Sequence, residues 1–467
     1  MQTAYSKKPL GFFSLVMINV MAVDSLRSLP IAAQFGLAVP FFYTVVALFF
    51  FIPSALITAE MATTFPNTGG VYIWVRNAFG PRWGWFTIWL QWIYNVVWYP
   101  TMLAFILAAL TYLIDPHLIQ NKTFVLSLML MLWWLVTGMS CLGIRASSRV
   151  STFGALVGTL IPMLFIIGFA AYSVLHTQTC ALTFSKAAFF PSLRDSHHLA
   201  FLTTVVFGLM GLEMSAVHAG DVQQPQKNYP RALFCSVPII LGTLMLGALA
   251  IASIVPSGQL NILSGLIAGY ALFLNHYHLD FLMPILIICI VLGSLCSVST
   301  WVMGPTRGLL IASAESQLPY LKWLLKQNRF DAPVNVLLFQ GVLVSLLTGL
   351  LLLVPSVKEA YWLLSVMTAQ LALLFYILLF LTAFRLRGQY PTRAPGAYRL
   401  PGGKVGMGLV TLLGLTTCLT TFILGFLAPE VTESVRWRGW LIFGVVVLCF
   451  IPYAVMYFCP QQIQRRE

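Results

Sequence analysis

Charge is what this sequence has least of. Asp, Glu, Lys and Arg make up 8% of its 467 residues, against roughly 25% in a soluble domain. So little charge cannot cover a water-facing surface on a chain of this length. No Gly-x-x-x-x-Gly-Lys-Ser/Thr string occurs and no stretch reads as a cytosolic domain able to hydrolyse ATP, so transport driven directly by a nucleotide is excluded. The histidines, at 117, 176, 197, 198, 218, 276 and 278, have no metal-ligand spacing within apolar stretches. A membrane enzyme would need such a set, or a convergent acid–base group, at one depth; neither is present, and no cofactor or metal is expected. Of the eight cysteines only Cys180 falls in a polar connection, so no disulfide framework follows.

What the chain has instead is apolar length. Hydrophobic residues make up 59% of it and the mean hydropathy is +0.88. Runs long enough to cross a hydrocarbon core about 30 Å thick recur throughout. They predict about twelve membrane helices, near 10–34, 38–62, 83–113, 123–142, 149–175, 199–220, 232–255, 281–311, 333–355, 359–384, 405–427 and 438–458. The fold class is therefore an all-α polytopic membrane protein, with residues 1–467 forming a single membrane domain.

The net charge of +13 suggests a nucleic-acid partner until the basic residues are placed. With the N-terminus in the cytoplasm, the outer connections hold only Lys122, Lys186, Arg194, Lys358, Arg436 and Arg438. The inner ones hold nearly all the rest, including Lys7, Lys8, Arg76, Arg82, Arg145, Arg149, Arg307, Arg385, Arg387, Arg393, Arg465 and Arg466. That asymmetry is the positive-inside bias; it puts both termini in the cytoplasm and makes the lipid bilayer, not nucleic acid, the partner. The apolar run after Lys8 contains Asp24 and Arg27 and lacks a small-residue cleavage site, so it is expected to be a retained helix, not a signal peptide. Trp83, Trp85, Trp437 and Trp440, near span ends, are expected to be interfacial anchors.

Ionisable groups at membrane depth are costly, so those that remain point to function. Asp24 and Arg27 lie in the first span, Glu60 near the inner end of the second, and Glu213 in the sixth. Asp24 and Arg27, three apart, have the spacing of an ion pair on one helix face. Glu60 opens an inner-loop motif and is expected to pair with a nearby arginine. The first span also breaks its own backbone, because Pro30 leaves the Leu26 carbonyl without a helical donor, and the string Asp24-Ser25-Leu26-Arg27-Ser28 is too polar for a lipid-facing helix. The sixth has Gly208 and Gly211 three apart, then Glu213. Glycines so spaced are ordinary in helix packing, but packing does not need a carboxylate. Spans one and six open two successive five-helix groups, 10–175 and 199–384, with 405–458 added as two further helices. The connections 64–82 and 256–280 are both long, mixed in polarity and on opposite faces. Interrupted helices at matching positions of inverted repeats mark a transporter's central site.

Motifs along most of the chain carry a resemblance. They are Phe51-Ile52-Pro53 through Ala59-Glu60-Met61-Ala62-Thr63, Gly69-Gly70-Val71-Tyr72-Ile73-Trp74-Val75 and Gly80-Pro81-Arg82-Trp83-Gly84. Further on come Met210-Gly211-Leu212-Glu213, Trp301-Val302-Met303-Gly304-Pro305-Thr306-Arg307-Gly308, and Leu400-Pro401-Gly402-Gly403-Lys404. With these the chain resembles the amino acid–polyamine–organocation superfamily, most closely bacterial glutamate/GABA-type antiporters and related amino acid permeases. The resemblance implies the five-plus-five inverted-repeat fold of leucine transporters, with substrate against the broken centres of helices 1 and 6. By position it implies substrate contacts from Ala22, Val23, Asp24, Ser25, Leu26 and Arg27, and from Phe207, Gly208, Met210 and Gly211. It further implies aromatic cover from Phe207 and Trp301, a polar contact from Asn95 in helix 3, and Tyr376 in helix 10 at a position where glutamate/GABA antiporters carry a tyrosine. Glu213 matches the helix 6 acid that relatives use in proton-linked cycles.

The expected function is secondary active transport of an amino acid across the cytoplasmic (inner) membrane by alternating access, as an exchanger or a proton-coupled permease. The partners expected are the amino acid, a counter-substrate or proton, and the bilayer, with the protein a monomer or homodimer. Sodium coupling is the main alternative: Ser297, Ser299 and Thr300 offer helix 8 hydroxyls for it, and helix 5 carries no lysine to substitute. A transporter-like receptor is a second, although such proteins usually carry a long cytosolic extension and none is read here. The chain departs from its relatives in two places. The glycine-rich helix 1 break of many members is replaced by Asp24 to Pro30, so neither glutamate nor GABA is assumed as substrate. The chain also stops soon after its last span, without the tail that plugs the inner mouth of some glutamate/GABA antiporters.

Overall fold

Chain segments this apolar must satisfy their backbone polar groups internally at membrane depth, which leaves helices as the only spanning solution for a non-barrel chain. A computed structural model describes residues 10–457 except 68, 144–149, 177–181, 183, 192–195, 256–259, 261–263, 317–318, 351–356, 391–395 and 427–434. Cys180 and the basic residues Lys7, Lys8, Arg145, Arg149, Arg194, Arg393, Arg465 and Arg466 lie outside the described residues.

Eleven described helices are long and apolar enough to cross a membrane. We number them with one shorter apolar helix, Val334–Gly349, in chain order. Spans 1 to 8 are Phe12–Ala33, Gly36–Thr64, Pro81–Ile114, Lys122–Ser140, Val150–His176, Phe201–Asp221, Pro225–Ala252 and Asp280–Glu315. Val334–Gly349 is span 9, and spans 10 to 12 are Glu359–Gln389, Gly403–Leu424 and Trp437–Ala454. The ninth, read from hydropathy as 333–355, is described as helix only to about Leu350. The chain is a multi-pass membrane protein, and among the described residues it has no strand beyond one isolated bridge between Leu10 and Val222.

The buried fraction divides the spans by position. Pro81–Ile114, Phe201–Asp221 and Glu359–Gln389 are more than two-thirds buried, whereas Gly403–Leu424 and Trp437–Ala454 are less than one-third buried. The first group surrounds the centre; the last two lie against its outside. Spans 5 and 8 approach at backbone contact, where a Cβ on Gly158 would stand 2.1 Å from the Gly293 Cα. Small residues allow such a crossing, and dispersion between close backbones holds it.

The two long connections each contain a helix, Val71–Phe79 after span 2 and Gly265–His276 after span 7. Not all four tryptophans at span ends face outward. Trp83 and Trp440 are exposed, but Trp85 and Trp437 are buried. Two positions on a helix turn a side chain about 200°, so Trp85 packs inward on Trp89, with ring centroids 6.1 Å apart.

Candidate functional site

Span 1 runs as regular helix from Phe12 to Val23, then leaves helical geometry at Asp24 and Ser25, both extended. A tight turn over Leu26–Ser28 and a short helix over Leu29–Ala33 complete it. The break follows from the sequence: Pro30 supplies no N–H, and the hydroxyl of Ser28 takes the Ser25 carbonyl at 2.7 Å. Span 6 is regular to Gly208, opens at Leu209 to Gly211, and continues as a tighter helix from Leu212 to Asp221. Gly211 has φ +127°, a conformation that side chains rarely adopt.

The two breaks face one another across Trp301 of span 8. Its indole N–H donates to the Ala22 carbonyl at 3.2 Å, one of the groups that the break in span 1 releases. A Cβ on Gly211 would meet the same indole at 2.9 Å and the same carbonyl at 3.0 Å. The Gly211 N–H, freed by the break in span 6, donates to the Tyr376 hydroxyl at 2.7 Å. That hydroxyl in turn donates to the Glu213 carboxylate. Glu213, 1% exposed, is thus held by span 10 through one phenol.

A cavity opens against these breaks. Ala22, Val23, Ser25 and Arg27 line it from span 1; Phe207, Gly208 and Met210 from span 6; Asn95 from span 3; and Trp301 from span 8. Nine residues predicted to contact substrate are therefore brought to one space. Asp24, Leu26, Gly211, Tyr376 and Glu213 lie beside it without lining it. Asp24 turns to span 7, where its carboxylate accepts from the Thr243 hydroxyl at 2.8 Å. The Asn95 amide donates to the Gln91 carbonyl of its own helix at 2.7 Å.

The ion pair read from the spacing of Asp24 and Arg27 does not form. Asp24 caps the first half of the span and Arg27 belongs to the turn beyond the break, so the face they would share in a continuous helix does not exist. Arg27 donates instead to Thr101 at 2.7 Å and lies 5.8 and 5.4 Å from the ring centroids of Trp98 and Tyr361. Glu60 does pair with an arginine, Arg387 of span 10, and both are buried.

Further residues that the sequence motifs do not mark also line the cavity. Tyr94, Trp98, Thr203, Tyr361, Trp362 and Ser365 all face the cavity. The signal for Tyr94 and Trp98 is their position next to Asn95 and one turn beyond it, and their ring centroids lie 6.3 and 5.9 Å from that of Trp301. At the helix 8 position considered for sodium, the Ser297 hydroxyl is 3.5 Å from the Met21 carbonyl, while Thr300 and Ser151 share a hydrogen bond of 2.6 Å. Among the described residues no group of three or more His, Cys, Asp or Glu is placed to hold a metal.

At the Leu10 end the central spans are bonded to one another. Leu10 donates to the Asp221 carbonyl at 2.8 Å and accepts from Gln223 at 3.0 Å, tying the start of span 1 to the end of span 6. Arg307 pairs with Asp221 at 3.2 Å, and Arg76 with Glu315. Both arginines stand on other elements than their partners, so these bonds join separate pieces of the bundle at this end.

An uncharacterized transporter of Legionella pneumophila is 46% identical over 96% of this chain and 97% of its own length. A glutamate/gamma-aminobutyrate antiporter of Lactococcus lactis is 28% identical over 95% of this chain and 89% of its own. A probable agmatine/putrescine antiporter of the same species is 24% identical over 89% and 88%. Among solved structures, MhsT in complex with L-phenylalanine superposes with a TM-score of 0.61 at 13% identity, over 88% of this chain and 98% of that one. Its likeness gives the fold: two broken helices within a leucine-transporter-like bundle. The amino acid permease family model matches residues 10–451, and the chain belongs to the amino acid permease family.

Proposed function

We propose that the protein is a secondary active transporter that moves an amino acid across the cytoplasmic membrane by alternating access, as an exchanger or in company with a proton. The observation that carries this is the meeting of the two helix breaks at one cavity, with the start of span 1 bonded to the end of span 6. Backbone N–H and C=O groups released from helical pairing at half-helix ends, held here by Trp301 and Tyr376, suit a molecule with both a carboxylate and an ammonium. In this reading the ion pairs at the Leu10 end are contacts that the opposite state breaks. Basic residues concentrated in alternate connections support cytoplasmic termini, and 10–175 with 199–384 serve as the two inverted repeats.

Proteoliposomes with the purified chain and a panel of labelled amino acids and their decarboxylation products test this. Uptake is expected for at least one amino acid when unlabelled substrate is inside or a pH gradient is imposed. If none moves under either condition, the reading fails.

Glu213 is proposed as the proton-coupling residue, because it is the buried carboxyl group bonded to the residue that also holds the break of span 6. Replacing it with Gln keeps the shape and an acceptor for the Tyr376 hydroxyl but removes the titrating proton. Glu213→Gln is expected to transport with a flat pH profile between about pH 5 and 8. A profile unchanged from that of the parent would remove Glu213 from the proton role.

A further inference from the structure

Arg27 is a buried cation whose counter-charge the fold does not supply. It is 8% exposed, lies at membrane depth, and lines the cavity. Among the described residues no carboxylate lies within ion-pair distance of it, and the acid three positions away is turned to Thr243. The Thr101 hydroxyl takes one of the five guanidinium N–H groups. Trp98 and Tyr361 attend to the cation through their ring faces, which accept no conventional hydrogen bond. A cation removed from water and left without an anion is strongly unfavourable, and a packed Met or Leu would fill the same volume at less cost.

Two other polar groups nearby are in the same condition. The Ser25 and Thr203 hydroxyls are buried without a hydrogen-bond partner, and both residues line the cavity that Arg27 lines. Thr203 is 7% exposed. A cation with spare donors and two spare hydroxyls around one cavity is the donor set of an anion site. Arginine suits a planar anion in particular, since its fork matches the two oxygens of a carboxylate.

We propose that Arg27, with Ser25 and Thr203, receives a carboxylate of the transported molecule, so that the site selects carboxylate-bearing substrates and rejects amines that have none. This rests on the transport reading above and narrows it. The carboxylate has two possible sources, the α-carboxylate common to all amino acids or an acidic side chain.

The test is counterflow in proteoliposomes of the full chain, with glutamate, glutamine, GABA and putrescine each as the labelled compound over its own unlabelled pool. The parent protein is expected to exchange one or more of the first three and not putrescine. Arg27→Gln is expected to raise the half-saturation concentration of the exchanged compound about 30-fold or more, with a smaller change in maximal rate. If an acidic side chain is the partner, the variant loses the discrimination between glutamate and glutamine; if the α-carboxylate is, both weaken together and their ratio persists. Arg27→Lys keeps the charge without the fork and is expected to weaken binding about tenfold, and it carries the test should Arg27→Gln fail to fold. Putrescine exchange comparable to that of the carboxylates, or half-saturation within about threefold of the parent in a folded Arg27 variant, overturns the proposal. A parent protein that exchanges none of these nor any other amino acid instead overturns the transport reading on which it rests.

Discussion

Arg387→Met is expected to destabilise the protein by about 3–5 kcal/mol, because it leaves the buried Glu60 carboxylate without its cation. The side chains of the pair are 4% and 0% exposed. Arg387 also donates to the Leu400 and Gly403 carbonyls, both at 3.1 Å, while the Leu400 N–H donates to Glu60 at 2.7 Å. One guanidinium thus joins span 2, span 10 and the connection into span 11, and its loss takes a donor from two carbonyls and the arginine from an acid. The neighbouring Tyr398, outside the spans, donates its backbone N–H to Thr63 at 3.0 Å. Burial, with the Glu60 charge adding to it, raises the Tyr398 phenol above its ordinary range. Extraction yield and melting temperature in detergent measure the effect. Arg387→Met should give little monodisperse protein. Glu60→Gln, which keeps an acceptor for Leu400, should be milder, and combining Glu60→Gln with Arg387→Met should recover part of the single variant's loss. A single Arg387→Met variant that melts with the parent would show that the pair contributes nothing to stability.

That pair was legible in the sequence, and the reason it was legible shows why other contacts were not. The bilayer penalises charge, so each ionisable residue within a span stands out and needs a partner. Glu60 followed this rule. Asp24 and Arg27 stand out in the same way, with an ion pair and a substrate contact both open from their spacing and position, and the ion pair assumes an unbroken helix. The polar string and Pro30 predicted the break itself, and the break is what separates the two side chains. The cavity wall was harder to read. Spans 3 and 10 are apolar on nearly every face, and a helix buried all round carries no amphipathic stripe to mark its inward side. Trp98, Tyr361 and Trp362 are therefore indistinguishable by composition from the buried Trp74, Trp92 and Trp133. What places them is the register of helix against helix, set by close crossings such as Gly308 of span 8 on Ile88 of span 3. The central spans were read correctly as spans because their length against the membrane does not depend on that register.

Gly211→Ala is expected to abolish transport, lowering it more than about 100-fold, while leaving a protein that folds and extracts normally. Two effects act at this position. The backbone stands at φ +127°, where an added Cβ is strained by about 1–2 kcal/mol wherever it points. The methyl would also approach the Trp301 ring at 2.9 Å and the Ala22 carbonyl at 3.0 Å, contacts that require one of them to move. Neither can move without cost to the site. The Trp301 indole is bonded to that same carbonyl, and the Gly211 N–H is bonded to Tyr376, which holds Glu213. A shift of a few tenths of an ångström to an ångström would separate the two breaks and loosen the phenol from the acid together. Misplacement on that scale is enough for losses of about 100-fold where function depends on geometry. The global cost stays small because the strain is confined to one peptide in a segment already outside regular helix. Gly242→Ala is the matched control: in span 7 its added Cβ would meet no heavy atom within 4 Å, and its uptake is expected to equal that of the parent. Uptake in proteoliposomes, with melting temperature measured on the same preparations, separates a lost site from a lost fold. Gly211→Ala retaining more than about a tenth of parental uptake would mean that the two breaks tolerate displacement, and that their contact at Trp301 is not what transport depends on.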